Sequence, residues 1–459
     1  MRSNLFKAAE IVRSSYWFLP SIMVAVAILL GALMVWLDAG PGEGLLDGIG
    51  WYQSAKADGA HQVLSTIAGS MITVAGVVFS ITIVALAYAA GQYGPRVLTN
   101  FMSDRGNQVT LGTFIGTFVY CLVVLRTIRG GDSEFVPQLA VMMGLVLALC
   151  SIGVLIYFIH HVPQSIHVNS VIARIGHQLI RSVEDRYPTF IGDPPEDKED
   201  GSPAAASATP LQLRPTEATA TLDSKRSGYI QALDEDSLME AARAADIVVY
   251  LTHAPGDYIH SGRPLLRVSP DRHMNREVGE ALLRSFSIGT MRTPYADLTF
   301  LIDELVEIAA RALSSGINDP YTAMGCMDWL GAGMTELARR KLPSPQRADE
   351  EGQVRVIALP ETFADFVERG FGRMRQYAAG DMNAAVHMLK TMDEVAKECS
   401  GTHRSEAICR EAGRLVRLVE KSLHAASIDG VRQCLATLDV LRGCDDARGS
   451  RKVDAFASR

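Results

Sequence analysis

Four long apolar runs lie before about residue 160, and most of the charged residues follow them. A helix needs roughly 20 apolar residues to cross the hydrocarbon core of a bilayer. None of the runs contains Asp, Glu, Lys or Arg, and they cover Trp17–Leu37, Leu64–Ala90, Val109–Leu125 and Val136–Ile159. The pattern predicts a transmembrane domain of four helices over residues 1–163.

The chain beyond these runs mixes helical and strand patterns. Apolar residues at helical spacing predict a membrane-proximal helix over residues 164–188, and a stretch rich in Pro, Ala, Ser and Thr predicts a flexible linker over 189–226. A small β-rich module over 227–270, a mainly helical domain over 271–445 and a loose tail over 446–459 complete the predicted order. The expected fold class is therefore an α-helical integral membrane domain of four spans joined to an α+β domain, which combines a small β-module with an α-helical bundle.

The stretch GDYIHSGRPLLRV in the β-rich module resembles the barrel-sandwich hybrid of biotinyl and lipoyl carriers. Those carriers attach their cofactor to a lysine in a hairpin. The chain has no lysine between Lys225 and Lys341, which excludes cofactor carriage by this module. The module is expected to be structural, and the sequence indicates no cofactor.

Charge in the short loops predicts how the spans are oriented. The N-terminal tail carries Arg2, Lys7 and Arg13, whereas the loop after the first span is mainly acidic. Basic residues favour the cytoplasmic side of a membrane. Both ends of the chain, and the large α+β domain, are therefore expected in the cytoplasm.

The second span carries small and hydroxyl residues at steps of three or four, which places them on one face of the helix. We call this set the small-residue face: Ser65, Gly69, Thr73, Gly76 and Ser80. Small residues allow close packing between helices in a membrane, and small polar groups also line some pores. Both interpretations stay open, and both hold if several copies pack around an axis. A second face is expected to contact lipid and comprises Ile67, Met71, Val74, Val78 and Ile81.

The sequence SSGINDP predicts a corner between two antiparallel helices in the C-terminal domain. Gly316 is expected to end the first helix in a left-handed turn, Asp319 to cap the second, and Pro320 to take its first position. The alternative is a ligand site beside the exposed helix N–H groups. Its candidate residues are Arg292, Asp297, Asn318, Asp319, Pro320 and Thr322.

Composition and spacing argue against several other functions. The net charge of −7 is unlike the basic excess of nucleic-acid-binding proteins, so no nucleic-acid partner is expected. Four histidines lie close together in sequence without a carboxylate at ligand spacing among them, so no metal site is predicted: His160, His161, His167 and His177. Known catalytic constellations cannot be assembled from the sequence, so no catalytic residue is assigned and an enzyme is not expected.

Three motifs together resemble a known family: GVVFSITIVALAYAAGQYGPRVLTNF, GTFIGTFVYCLVVLR and LVEIAARALSSGINDPYTAM. They resemble the bacterial predicted membrane proteins grouped as domain of unknown function 2254, over nearly the whole chain except the linker and the tail. Ala296 and Ser315 stand where that family pattern has a polar residue and a proline, which weakens a binding role for Arg292 and Asp297. The resemblance implies the four-span architecture and a place in the bacterial cytoplasmic (inner) membrane, and it carries no established activity.

Two functions follow as hypotheses. The first is a homo-oligomeric channel or pore-like protein whose small-residue face lies toward the axis and whose cytoplasmic domain regulates it. The alternative is a non-conducting, membrane-anchored sensor or scaffold whose cytoplasmic domain binds a small ligand or a partner protein. The expected partners are the lipid bilayer, further copies of the chain, and an ion or small molecule that the sequence does not identify.

Overall fold

The chain divides into two units, Met1–Ser170 and Val171–Arg459. The computed structural model describes residues 17–40, 56–94, 104–129, 135–187, 218–293, 297–358, 361–399 and 402–438. The predicted tail over 446–459 and the predicted linker as far as residue 217 lie outside these described residues.

The first unit contains the four predicted spans as helices long and apolar enough to cross a membrane, which confirms that prediction. Their bounds are α1 Phe18–Asp38, α2 Ala57–Tyr93, α3 Arg105–Leu125 and α4 Gln138–Ile166. Helix α3 is central, because it packs against all three of the others. The side chains of Phe114 and Tyr120 on α3 are almost completely buried.

Hydrogen bonds between helices fix the arrangement of this unit. The Asp38 carboxylate at the end of α1 accepts the N–H groups of Leu139 and Ala140 at 3.0 and 2.9 Å, which satisfies free donors at the start of α4. The Tyr120 hydroxyl donates to the Ala140 carbonyl oxygen at 2.8 Å. These bonds tie the end of α1 and the side of α3 to the first turn of α4.

Three of the spans are longer than the apolar runs that predicted them, and α3 begins at Arg105, four residues before its run. Helix α2 extends to Tyr93, and Gly94 follows it as the C-cap. The φ of Gly94 is 105°, a left-handed conformation that glycine adopts without strain. Helix α4 continues through Pro163 to Ile166, beyond the predicted end of the span at Ile159.

The second unit contains two β-sheets. One has five strands in the order β1-β5-β3-β8-β7, and the other has three strands in the order β4-β2-β6. The strands are β1 Ala220–Asp223, β2 Gly228–Leu233, β3 Val248–Leu251, β4 Tyr258–Ile259, β5 Pro264–Ser269, β6 Phe286–Gly289, β7 Gln346–Ala348 and β8 Val354–Ile357.

The sheets correct two predicted boundaries. Strand β1 lies in the predicted linker but pairs antiparallel with β5, so residues 220–223 are part of the sheet. Strand β8 lies in the predicted helical domain but pairs parallel with β3. Strands β3 and β5, from residues 227–270, pair with β8 and β1, which lie outside that range. The strands over 227–270 therefore do not form a separate module.

Helices make up the rest of the second unit. They are α5 Val168–Arg186, α6 Glu235–Ala244, α7 Arg276–Arg284, α8 Leu298–Ala312, α9 Pro320–Ala338, α10 Phe363–Val367, α11 Arg373–Ala378, α12 Met382–Lys397, α13 Thr402–Ser422 and α14 Ala425–Thr437. A single π-helical turn, Glu368–Gly372, joins α10 to α11. Helix α9 packs closely on α5 and α12, and a Cβ at Gly331 would lie only 2.3 Å from the Thr391 side chain.

Candidate functional site

The small-residue face of α2 lies on the outside of the four-helix unit. Ser65, Gly69, Thr73, Gly76 and Ser80 are all exposed. A Cβ built on Gly69 or Gly76 would meet no atom of the described residues within 4 Å. Packing against the helices that the structure describes therefore does not explain these small residues.

The opposite face of α2 is the one that packs inside the unit. Met71 and Val78 are buried in a core with Phe114 of α3 and Phe158 of α4. The prediction that Ile67, Met71, Val74, Val78 and Ile81 contact lipid is therefore wrong, except at Ile81, which is 45% exposed. The inward face of α2 combines these larger side chains with buried alanines such as Ala68 and Ala75, and the small-residue face lies on the other side of the helix.

The threonine hydroxyls on the outside of α2 find partners in their own helix. Thr73 donates to the Gly69 carbonyl oxygen at 2.8 Å, and Thr66 donates to the Gln62 carbonyl oxygen at 2.8 Å. These bonds satisfy the hydroxyl protons and leave oxygen lone pairs on the outer surface. Such a surface is compatible with close packing against another helix, and equally with water or ions in a narrow lumen.

The outer surfaces of α1 and α4 differ from that of α2. On α1, Leu29 is 69% exposed and Trp36 is 63% exposed; on α4, Leu149 is 69% exposed and Ile156 is 66% exposed. Large aliphatic and aromatic side chains of this kind suit contact with acyl chains and the headgroup boundary. The centre of the outer surface of α2 offers glycine and hydroxyl groups instead, with larger apolar side chains on either flank.

The predicted helix corner is present in the second unit. The Asp319 carboxylate caps α9 by accepting the Thr322 backbone N–H at 3.1 Å, and Pro320 takes the first helical position. The residue in the left-handed conformation is Asn318, with a φ of 51°, and not Gly316 as the sequence suggested. Asparagine tolerates this conformation better than most residues other than glycine, so the left-handed residue lies two positions later than predicted.

The candidate residues Arg292 and Asp297 lie elsewhere, in a group around the buried Asp297 and Asp303 carboxylates that we call the ionic cluster: Arg292, Asp297, Thr299, Asp303, Arg369 and Arg373. Asp297 caps the start of α8 through the Phe300 N–H and binds Arg292 with an N–O distance of 2.5 Å. The helix corner follows the other end of α8, whose 15 residues span about 22 Å. The structure therefore does not bring the two predicted halves of the ligand site together.

Asp303 is the centre of the ionic cluster. Its carboxylate lies 2.5 Å from Arg292, 2.8 Å from Arg369 and 2.8 Å from Arg373. Burial by itself would raise the pKa of Asp303, but the hydrogen bonds from Arg369 and Arg292 outweigh it and hold the pKa below its ordinary value. Burial raises the pKa of nearby Glu361 to about 7, against the opposing effect of Arg369.

Sequence reasoning missed the acceptor that organises this cluster. Asp303 lies within the apolar stretch LTFLIDELVEIAA, and Arg369 and Arg373 are four residues apart in ERGFGRMR. A carboxylate on an apolar helix face, together with two arginines at helical spacing, is a sequence signal for a buried ion pair. Among the described residues, no group of three or more His, Cys, Asp or Glu side chains is arranged to hold a metal ion.

Comparisons with known proteins identify the chain as similar to predicted membrane proteins. A family model described as predicted membrane protein, DUF2254, matches residues 13–394. An uncharacterized protein of Mycobacterium bovis and one of Mycobacterium tuberculosis are each 31% identical to the chain over 420 residues, covering 90% of this chain and 77% of theirs. No solved structure matches the chain. The chain therefore belongs to the DUF2254 family of predicted membrane proteins.

Proposed function

We propose that this protein is a homo-oligomeric channel or pore-like protein in which α2 of each copy faces a common axis. The observation that supports it is the position of the small-residue face, which lies on the outside of its own four-helix unit. In this proposal the C-terminal unit is a cytoplasmic regulatory domain, and no step of catalysis is assigned to it.

The physical argument rests on what small residues do in lipid. Helices in a membrane associate through close backbone approach, which glycine and serine permit. At Gly69 and Gly76 the described part of the chain places nothing within 4 Å, and the proposal assigns this close approach to a second copy of the chain. A ring of such helices leaves a narrow lumen lined by hydroxyl oxygens, as in channels built from small polar groups.

The proposed location is the bacterial inner membrane, with both ends of the chain in the cytoplasm. It rests on the four apolar helices and on the basic residues of the N-terminal tail. The proposed partners are the bilayer and further copies of the chain, together with the ion or small molecule that passes or binds, and nucleic acid is not among them.

A second candidate is a non-conducting sensor or scaffold. The observation that favours it is the helix corner, where Ile317 is 44% exposed and Tyr321 is 77% exposed. Exposed apolar side chains beside a rigid, capped turn are typical of a contact surface for a partner. In this case the assembled α2 helices would pack without a lumen.

Thiol labelling separates the two candidates. Ser80→Cys is placed in a chain whose seven native cysteines are replaced, and the membranes are treated with a small, membrane-impermeant thiol reagent; a second chain keeps Cys150 as its single cysteine. The channel predicts labelling, because water reaches a lumen. The matched control is the native Cys150, which is exposed on α4, faces lipid in this proposal and should stay unlabelled. An assembled protein whose Ser80→Cys thiol stays unreactive in every tested condition would favour the scaffold.

A further inference from the structure

The neighbouring ends of α3 and α4 bring three polar side chains together within the four-helix unit. Asp104 precedes α3, whereas His161 and Ser165 lie one turn apart on α4. His161 Nε2 lies 3.0 Å from Asp104 Oδ2 and 3.1 Å from Ser165 Oγ, and the two oxygens are 3.4 Å apart. We call these three atoms the donor triangle.

Surrounding contacts hold the donor triangle in place. Asp104 Oδ1 accepts the Gly106 backbone N–H at 2.8 Å, which orients the carboxylate. The His161 ring stacks on Tyr157 with centroids 5.0 Å apart. A Cβ at Gly106 would lie 2.6 Å from His161 Nε2, so glycine is required for this approach of α4 to α3. The side chains of Asp104 and His161 are only 11% and 24% exposed.

The donor triangle is short of protons. Ser165 Oγ lies 2.9 Å from the His161 carbonyl oxygen, the usual acceptor for a serine hydroxyl in a helix. With that proton engaged, and with His161 in the Nδ1–H tautomer, His161 Nε2, Asp104 Oδ2 and Ser165 Oγ all present lone pairs to one another, an arrangement that a cation would stabilise. A cation bound at about 2.1 Å from nitrogen and oxygen ligands separates those ligands by roughly 3.0 to 3.4 Å. The edges of the triangle fit this spacing.

Asn107 provides an independent observation that points to a ligand. Its side chain is 0% exposed, and neither its Nδ2 nor its Oδ1 has a hydrogen-bond partner within the described residues. It lies three residues after Asp104, on the same side of α3, and side chains in a helix lean back toward the N-terminus. A buried amide without partners is destabilising, which points to a bound group that supplies its partners.

We propose that Asp104, Asn107, His161 and Ser165 form a binding site for a divalent transition-metal cation such as Zn²⁺ or Mn²⁺. One imidazole nitrogen combined with carboxylate, hydroxyl and amide oxygens suits such ions better than Mg²⁺, which prefers oxygen ligands and keeps its water. The site joins α3 to α4 and does not depend on whether the protein conducts.

Calorimetric titration of the full-length, chelator-treated protein in detergent tests the site, with Zn²⁺, Mn²⁺ and Mg²⁺ as separate probes. The expected result is saturable binding of Zn²⁺ or Mn²⁺ and a rise in melting temperature, with a smaller effect of Mg²⁺. His161→Gln and Asp104→Asn should each abolish the saturable binding and the rise in melting temperature. The matched control is His160→Gln, because His160 is exposed and contacts Gln164 instead; this variant should bind as the native protein does.

Asn107→Ala keeps the test decisive if the other variants fail to fold, because it removes a side chain that has no hydrogen bond to lose. It should weaken binding by about tenfold, as loss of a supporting group at a metal site does. Absence of metal binding to the native protein would overturn the proposal and leave Asn107 as the site of a buried water. Equal binding by the native protein and His161→Gln would also overturn it.

Discussion

The small-residue face and the ionic cluster are both polar regions, but they differ in where their partners lie. The side chains of the ionic cluster bind one another, and Asp303 alone accepts hydrogen bonds from three arginines. The residues of the small-residue face are exposed on α2, and its glycines meet no atom of the described residues within 4 Å. A polar group whose partners are internal stabilises the fold, whereas one without internal partners indicates a contact outside the chain.

The comparison predicts its largest effect on stability at Asp303. Asp303→Ala would remove the acceptor of one hydrogen bond from the buried Arg292 guanidinium and of those from Arg369 and Arg373, and should lower the free energy of unfolding by about 3–5 kcal/mol. Hydrogen exchange of α8 during denaturant titration measures this. The matched control is Asp328→Ala, at an ion pair with His387 whose aspartate is 60% exposed, where a loss below about 1 kcal/mol is expected. Equal losses in both variants would contradict the stabilising role of the cluster.

The next effect is expected at Gly76, and it concerns assembly and not folding. Gly76→Leu has room within its own chain but would separate two α2 helices, so the association constant should fall at least about tenfold. Mass measurement of the protein in detergent or nanodiscs reports the association. Gly153 of α4 is also exposed without a neighbour within 4 Å among the described residues, which makes Gly153→Leu the matched control. If both leucine variants assemble as the native protein does, α2 is not the contact surface.

A smaller effect is expected at the helix corner. Asp319→Ala removes the carboxylate that accepts the Thr322 N–H and should cost about 0.5–2 kcal/mol. Asp319→Asn should restore most of this loss, because asparagine caps helices as well as aspartate does. The melting temperature of the full chain measures both variants. A loss of partner binding in the Asn variant with unchanged stability would indicate that the corner is a ligand site.

The smallest effect is a change in pH dependence at Glu361. Its pKa rises from 4.5 to about 7 in the folded chain, chiefly through burial. The folded state therefore holds this proton more tightly than the unfolded state, and its contribution to stability falls as pH rises from about 4.5 to about 7. Glu361→Gln should flatten the stability curve in that window, with exposed Glu350→Gln as the control. If the free energy of unfolding depends on pH in the same way in the native protein and in Glu361→Gln, the raised pKa of Glu361 is contradicted. The Glu361 side chain is 39% exposed, so screening by water keeps the effect small.

The parts of the fold that local pattern determines were predictable from the sequence. Each apolar run became a helix, and Asp319 followed by Pro320 marked a real helix start. The wrong lipid face of α2 shows the limit of this reasoning. Periodicity separates Met71 and Val78 from Gly69 and Gly76, but it does not say which face meets α3 and α4.

The donor triangle and the ionic cluster were out of reach for a different reason. His161 meets a carboxylate 57 residues away in the sequence, and Arg369 meets one 66 residues away. Spacing within one segment cannot reveal pairs that only tertiary packing brings together. For the same reason, strand β8 could not be assigned to the sheet of β3 from its own residues.

Cysteine cross-linking in native membranes tests most directly whether the small-residue face joins copies of the chain. Thr73→Cys is oxidised in a chain whose Cys150 is replaced by serine, and the native chain with Cys150 on the outside of α4 is treated in parallel. The account predicts disulfide-linked dimers of the Thr73→Cys chain and none through Cys150. Cross-linking through Cys150 but not through Thr73→Cys would contradict it.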